Sequence, residues 1–341
     1  MSTSFANPAP PNNLPIARFA WFVVFYNILA IVWGALVRAS GSGAGCGNRW
    51  PLCNGQIIPV SPGFHTIIEF THRMMVGGST LLVFALLVWT FRATVKHQAA
   101  RALAVVSTLL LLNEAFLGAL LVKLNYVTVN QSTGRIVLLS IHLGNTLLLM
   151  AALTLTARFL STGQRWIDLP LSRRLVGVIE GLVTTIFVGI TGSIAALGDT
   201  LFPAASLHAS IAQDFAAGSP MLLRLRLVHP ALALIAALFA LWLAARARST
   251  RSGHTGSNAS DSGKFSKTVV RAQQASRARL ANLLLILLGL QFALGVADVL
   301  LLAPAWMQLL HLLGADLFWV ILVQLAAETV WPAAAPSARK T

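Results

Sequence analysis

Eight stretches of this chain are apolar for about twenty residues or more, at 19–39, 66–91, 102–123, 137–158, 174–197, 221–245, 280–302 and 307–329. Each is long enough to cross about 30 Å of hydrocarbon at a helical rise of about 1.5 Å per residue. Lipid offers no hydrogen bonds, so a segment inside it must satisfy its own backbone, and an α-helix does this. The expected fold class is an all-α polytopic membrane protein of eight transmembrane helices. Composition agrees: 56% of the 341 residues are hydrophobic and 10% are charged, whereas soluble domains carry about 25% charge. The net charge of +15 does not indicate a nucleic-acid partner, because the bases sit in short segments between apolar runs. The surroundings implied are membrane lipid.

Lys and Arg set the orientation. One set of segments holds Arg18, then Arg92, Lys96 and Arg101, then Arg158, Arg165, Arg173 and Arg174, then Arg246 through Arg279, then Arg339 and Lys340. The opposite set holds Arg49 and Arg135, with Arg38, Lys123, Arg224 and Arg226 near span ends. The positive-inside rule puts the first set, and both termini, in the cytoplasm of a bacterial cell membrane. The polar, Pro/Asn-rich start and the length of the run after it suit a span better than a cleaved signal. The stretch GAGC ending at Cys46 resembles a lipoprotein cleavage site, but Arg38 and a Gly/Ser segment separate it from the apolar run.

The expected organisation is a cytoplasmic tail (1–18), a four-helix bundle (19–158), a connector (159–173), a second four-helix bundle (174–329) and a tail (330–341). The second bundle contains a Ser/Gly-rich, basic loop, 246–279, read as flexible and cytoplasmic, with His254 a solvated residue. The bundles resemble each other. Ser40-Gly41-Ser42 matches Thr191-Gly192-Ser193, FLGALLV matches ALGVADV, and IHLGN matches LHLLG. Four spans per repeat make the two halves enter the membrane in the same sense, with the repeat axis along the membrane normal. Such bundles hold cofactors between facing helices.

Ionisable groups inside a span are costly and mark function. His72, His142, His229 and His311 all lie on even-numbered spans, two per half, about 8–12 Å from the outer end. A single intramembrane histidine is as often a hydrogen-bonder as a ligand. Four at one depth in repeat-related places point to metal, and imidazoles paired on facing helices suit the two axial positions of a heme. Zinc would want further His, Cys or carboxylate nearby, so another metal or a structural role remains the alternative. His65 and His208 fall in external loops, where His65 could line an entrance.

The halves are not equal. Glu69 precedes His72 by three residues, on the same helix face. Arg226 holds that place before His229, with Arg224 behind it. Cations at the rim suit heme propionates, and a carboxylate beside a heme face suits acid, base or charge-stabilising work. The competing role for Glu69 is to orient an imidazole. Arg73 either snorkels outward or pairs with a propionate. Cys46 and Cys53 share the external loop CGNRWPLC. A disulfide is the default in an oxidising compartment, and a short exposed one can also be redox-active. Glu114, Glu180, Asp298 and Asp316 are read as structural rather than catalytic, although Glu114 could serve the first site.

The stretch GALVRASGSGAGCGNRWPLCNGQIIP, followed by IEFTHR, resembles the signature of the heme A synthases, and LLHLLGADLFWVIL resembles their last span. The likeness covers 19–329. It implies an oxidoreductase that converts the C8 methyl of heme O to a formyl group with oxygen from water. It implies a heme O site in the first half, with His72 and His142 facing the substrate iron. It implies a heme b in the second half, ligated by His229 and His311. Glu69 would be the catalytic carboxylate, stabilising a cationic intermediate or handling a proton, and Cys46–Cys53 the loop disulfide beside it. Some members carry a second Cys pair between spans 5 and 6; this chain does not. Heme O synthase, a farnesyltransferase, and cytochrome oxidase assembly proteins are the implied partners, and a homo-oligomer is among the assemblies open to such a chain. Two other readings stand beside it. A di-heme electron-transfer cytochrome accounts for four histidines but not for Glu69 or the one-sided Cys loop. A transporter predicts broken helices and acids near the midplane.

Overall fold

The computed structural model describes residues 14–96, 98–163, 173–249 and 261–331, with the side chains of 173, 174, 261–270 and 272 outside that description. Its regular structure is helical: α1 (Leu14–Ala39), α2 (Phe64–Ala93), α3 (Ala99–Lys123), α4 (Thr133–Thr162), α5 (Arg173–Leu201), α6 (Leu207–Phe215), α7 (Met221–Arg226), α8 (Val228–Ser249), α9 (Asp261–Leu300) and α10 (Ala305–Val330). Eight segments are long and apolar enough to cross a membrane, with α7 and α8 together forming the sixth. The chain is a multi-pass membrane protein.

Local chemistry sets several boundaries. The Ser132 side chain accepts from the Arg135 N–H and caps α4, and Gly163 ends that helix at φ 65°. Pro304 stands at the N-cap of α10. The sixth span breaks at Leu227, between α7 and α8. Pro230 explains the break: it has no N–H for the Arg226 carbonyl four residues back, and its ring crowds that carbonyl. The break falls just before His229.

One expectation is corrected. The loop 246–279 is helical at both ends, since α8 runs to Ser249 and α9 starts at Asp261. The stretch KFSKTVVRAQQASRAR before the seventh apolar run is rich in Lys, Arg, Gln and Ala, which favour helix once the Ser/Gly run is passed. Residues 250–260 with His254, the segment 164–172, and both tails, 1–13 and 332–341, lie outside the described residues.

Helices α1 to α4 pack in a ring, α1 on α2 and α4, and α3 on α2 and α4; in the second half α8 packs on α5 and α9, and α10 on α9 and α5. The halves meet through α4 on α5 and α10, and α1 on α10. One apolar core runs through both, from Leu153 and Ala157 to Leu322 and Leu325. Half of the most apolar window of α4 and of α10 is buried, against 11% for α9, so α9 turns most of its surface outward. Polar links tie the halves at both ends. Near the start of the even-numbered spans, Arg38 of α1 donates to Ala196 O (2.8 Å), Thr200 Oγ1 (2.9 Å) and Gln308 Oε1 (2.8 Å). At the other end Arg158 of α4 meets Glu328 of α10 at 3.1 Å, with Arg277 3.7 Å from the same carboxylate. Arg158→Ala removes the nearer cation from half-buried Glu328 and leaves it Arg277 alone, so we expect a loss of about 1 kcal/mol, read as a lower Tm in detergent.

Candidate functional site

The four histidines share a depth. His72, His142, His229 and His311 come eight, nine, eight and six residues after the starts of α2, α4, α7 and α10, or about 9–14 Å along the helices. Each ring stands against a glycine of the preceding span. A Cβ on Gly34 would lie 2.9 Å from His72 Cε1, one on Gly118 3.8 Å from His142 Cε1, one on Gly192 2.9 Å from His229 Cε1, and one on Gly295 3.3 Å from His311 Cε1. At Gly34 and Gly192 even alanine would collide with the ring.

Gly192 and Gly34 share this place against a histidine ring, whereas Gly41, paired with Gly192 by the short Gly/Ser likeness, turns the chain after α1 at φ 66°. Gly118 and Gly295 fall together as the FLGALLV and ALGVADV match requires.

In the first half, Glu69 is buried at 3% exposure. Its Oε2 accepts from the Cys46 N–H at 2.8 Å and its Oε1 from Arg73 Nη2 at 2.6 Å. Arg73 Nη1 also donates to the Leu52 and Pro51 carbonyls, at 2.8 and 3.4 Å. The expectation of a lone carboxylate is therefore corrected. Glu69 and Arg73, one turn apart, pair with each other and clamp the Cys loop onto α2. Arg73 does not snorkel outward. The disulfide Cys46–Cys53 is present, and both residues are buried, at 0% and 1%, rather than exposed. Thr66 and His65 complete the clamp, Thr66 Oγ1 donating to Gly45 O at 2.8 Å and His65 Nδ1 sharing a hydrogen bond with Ser42 at 2.9 Å.

The second half differs in what stands behind its histidines as well as in its charges. His229 Nδ1 lies 3.1 Å from Val188 O. A carbonyl only accepts, so Nδ1 carries the proton and Nε2 presents its lone pair. Every guanidinium nitrogen of Arg226 is engaged: Nε with Asp214 (2.5 Å), Nη1 with Asp199 (2.6 Å) and Nη2 with Ser210. Arg226, expected as a cation suited to a heme propionate, already has two acids, which α5 and α6 supply. Arg224 is exposed and donates through Nη2 to Ala217 O at 2.7 Å. His208 and Glu180 are exposed. Asp298 and Asp316 each keep one buried oxygen without a hydrogen-bond partner.

Geometry tests what the histidines can hold. The His229 and His311 rings lie 6.4 Å apart, centroid to centroid, at 88°. Two imidazoles on opposite sides of one iron, with metal–nitrogen bonds of about 2.0 Å, place their ring centres about 6.2 Å apart. No hydrogen bond among the described residues engages Nε2 of any of the four. Three or more His, Cys, Asp or Glu side chains do not gather as a metal-ion ligand set among the described residues. The chain thus offers paired imidazoles between helices, which fit the two axial places of a heme. Sequence reasoning missed the facing glycines and undervalued Glu114, whose Oε1 stands 3.2 Å from His142 Nδ1. A glycine in each odd-numbered span, set against the one histidine of the next, was the available signal.

The fold and the paired histidines define a helical membrane protein with imidazoles set between its spans in an arrangement that fits heme-type groups. The profile of the cytochrome oxidase assembly family COX15-CtaA matches residues 17–323, and the chain belongs to that family. A Thermus thermophilus protein named protoheme IX farnesyltransferase is 38% identical over 323 residues, 92% of this chain and 48% of its own length. Heme A synthase of an Exiguobacterium species (AT1b) is 35% identical over 180 residues, 52% of this chain and 56% of its own. Heme A synthase of Bacillus licheniformis is 44% identical over 92 residues, 27% of this chain and 30% of its own. The chain spans about half the length of the first two of these relatives.

Proposed function

We propose that this protein is a heme A synthase, oxidising the C8 methyl of heme O to a formyl group. One observation carries the reading: beside the first imidazole pair a buried carboxylate, Glu69, stands three residues from a histidine and is pinned under a disulfide loop, where the second half has Arg226. The family and the relatives named heme A synthase support it. His72 and His142 face the substrate iron, and His229 and His311 hold a heme b. Converting methyl to formyl takes one oxygen from water and releases four protons and four electrons. The hemes supply electron transfer when bound; the chain supplies position and proton handling.

Glu69 is preset as an acceptor. The Cys46 N–H and Arg73 meet its two oxygens, an arrangement that suits stabilisation of developing positive charge over proton donation. The Cys46–Cys53 bridge then acts as a strut that keeps the Cys46 N–H on Glu69. We read the two halves as repeat-related bundles about an axis along the membrane normal, supported by the four histidine–glycine contacts. Both termini are cytoplasmic, so the hemes lie in the outer part of the membrane. The farnesyltransferase name of the Thermus relative supports a farnesylating enzyme as the supplier of substrate.

The test is heme extraction from a heme O-producing host with and without the protein. Heme A appears only with it; its absence while the protein is folded and membrane-inserted sinks the enzyme and leaves a di-heme cytochrome. Cys53→Ala should cost about 2 kcal/mol of stability from a loop of this size, seen as a lower Tm. It should also lower heme A yield more than heme b content, because Glu69 loses its fixed donor.

A further inference from the structure

The residue four places before the histidine-facing glycine differs between halves: Glu114 precedes Gly118, and Gln291 precedes Gly295. Around Glu114 two donors and one imidazole nitrogen converge. Asn145 Nδ2 donates to Oε2 at 2.5 Å, Thr146 Oγ1 donates to Oε1, and His142 Nδ1 stands 3.2 Å from Oε1. His142 Nδ1 makes no hydrogen bond there, so the contact is one of position and charge. Asn145 is itself fixed, donating to Leu110 O at 2.9 Å and accepting from Asn113 at 2.8 Å.

The second half lacks every part of this cluster. Gly314 and Ala315 stand three and four residues after His311, where Asn145 and Thr146 follow His142. A Cβ on Gly314 would lie 2.2 Å from Gln291 Nε2, so the glycine makes room for the neutral amide. Gln291 donates to the His311 backbone carbonyl at 3.2 Å, and His311 Nδ1 has no hydrogen-bond partner.

We propose that Glu114 is a positioning residue of the first site, which fixes the His142 ring from behind and makes the iron bound there harder to reduce than the iron of the second site. This rests on the reading of His142 as an axial ligand. A carboxylate behind a ligating imidazole orients the ring and raises its basicity. A more basic ligand favours the oxidised metal. Gln291 gives His311 neither effect, so the chain builds two different irons from two similar histidine pairs.

The measurement is a spectroelectrochemical titration of the purified full chain with its hemes as isolated, with heme content from the pyridine hemochrome. Glu114→Gln installs the amide that the second half uses. It should leave the heme content of the second site unchanged and, in the protein that loads the first, raise the first midpoint by about tenfold in the reduced-to-oxidised ratio, about 59 mV for one electron. The second midpoint should not move. Glu114→Asp, which keeps the charge but withdraws it, should shift the same midpoint less. Unchanged midpoints and low-spin EPR signals in Glu114→Gln at full loading overturn the proposal. Should that variant fail to load, Glu114→Asp decides, and an unmoved midpoint there overturns it equally. A His142→Ala protein whose first heme signal is unaltered breaks the ligand assignment instead, a failure of the functional reading that the Glu114 variants do not produce.

Discussion

Glu69→Gln protein, expressed in a heme O-producing host, should hold heme b at the wild-type level and yield at least about 100-fold less heme A, the scale of a lost acid–base group. Glutamine keeps the size of the side chain and can still accept from the Cys46 N–H. It removes the negative charge and leaves Arg73 facing a neutral amide. The two losses must be separated, because an unpaired buried cation destabilises by about 3–5 kcal/mol on its own. Tm and heme b content report the structural part. The double variant Glu69→Gln/Arg73→Gln removes both charges and should regain stability without regaining heme A. A double variant that makes heme A at full yield would return Glu69 to an orienting role and leave the chemistry without a residue.

Much of this was legible in the sequence, for physical reasons. Eight apolar runs dictate eight spans because lipid satisfies no backbone group, and each run became a span. The shared depth of the histidines was legible because the apolar runs set the span ends from which each is counted. The partners of charged groups were not. Nothing in local spacing says that Arg226 would meet Asp214 and Asp199, 12 and 27 residues away, or that Arg38 would reach Gln308 across the interface. Glu69 and Arg73 are a turn apart and face each other by helical spacing, but the Cys46 N–H and the Leu52 carbonyl that complete their clamp come from a loop with no periodicity to read. The same limit hid the facing glycines. Their meaning lies in a contact between helices, and a glycine in an apolar run is common enough to pass unremarked. The loop 246–279 misled for the opposite reason: its Ser/Gly-rich beginning dominated the reading, and the helix-forming sequence after it was averaged away.

His229→Ala should weaken heme b binding by at least about 100-fold, beyond the 10–100-fold typical of losing a group that merely supports a metal ligand. The pyridine hemochrome of the purified protein would then show little heme b. His229 is set for this role by three neighbours. Pro230 breaks the span just before it, Val188 O fixes its tautomer at 3.1 Å, and Gly192 gives its ring room. Gly192→Val leaves the imidazole in place chemically but puts branched carbon where Cε1 now lies 2.9 Å from a Cβ position. It should therefore reproduce most of the His229→Ala loss, while a substitution at Gly289, whose Cβ would meet nothing within 4 Å, should not. Heme A yield should fall in both loss variants even though Glu69 and its clamp are untouched, because electrons removed at the first site then lack their route through the second. Normal heme b in His229→Ala would break the assignment of the second site. Normal heme A with heme b absent would break something narrower, the electron link between the halves, and would leave the first half to perform the oxidation alone.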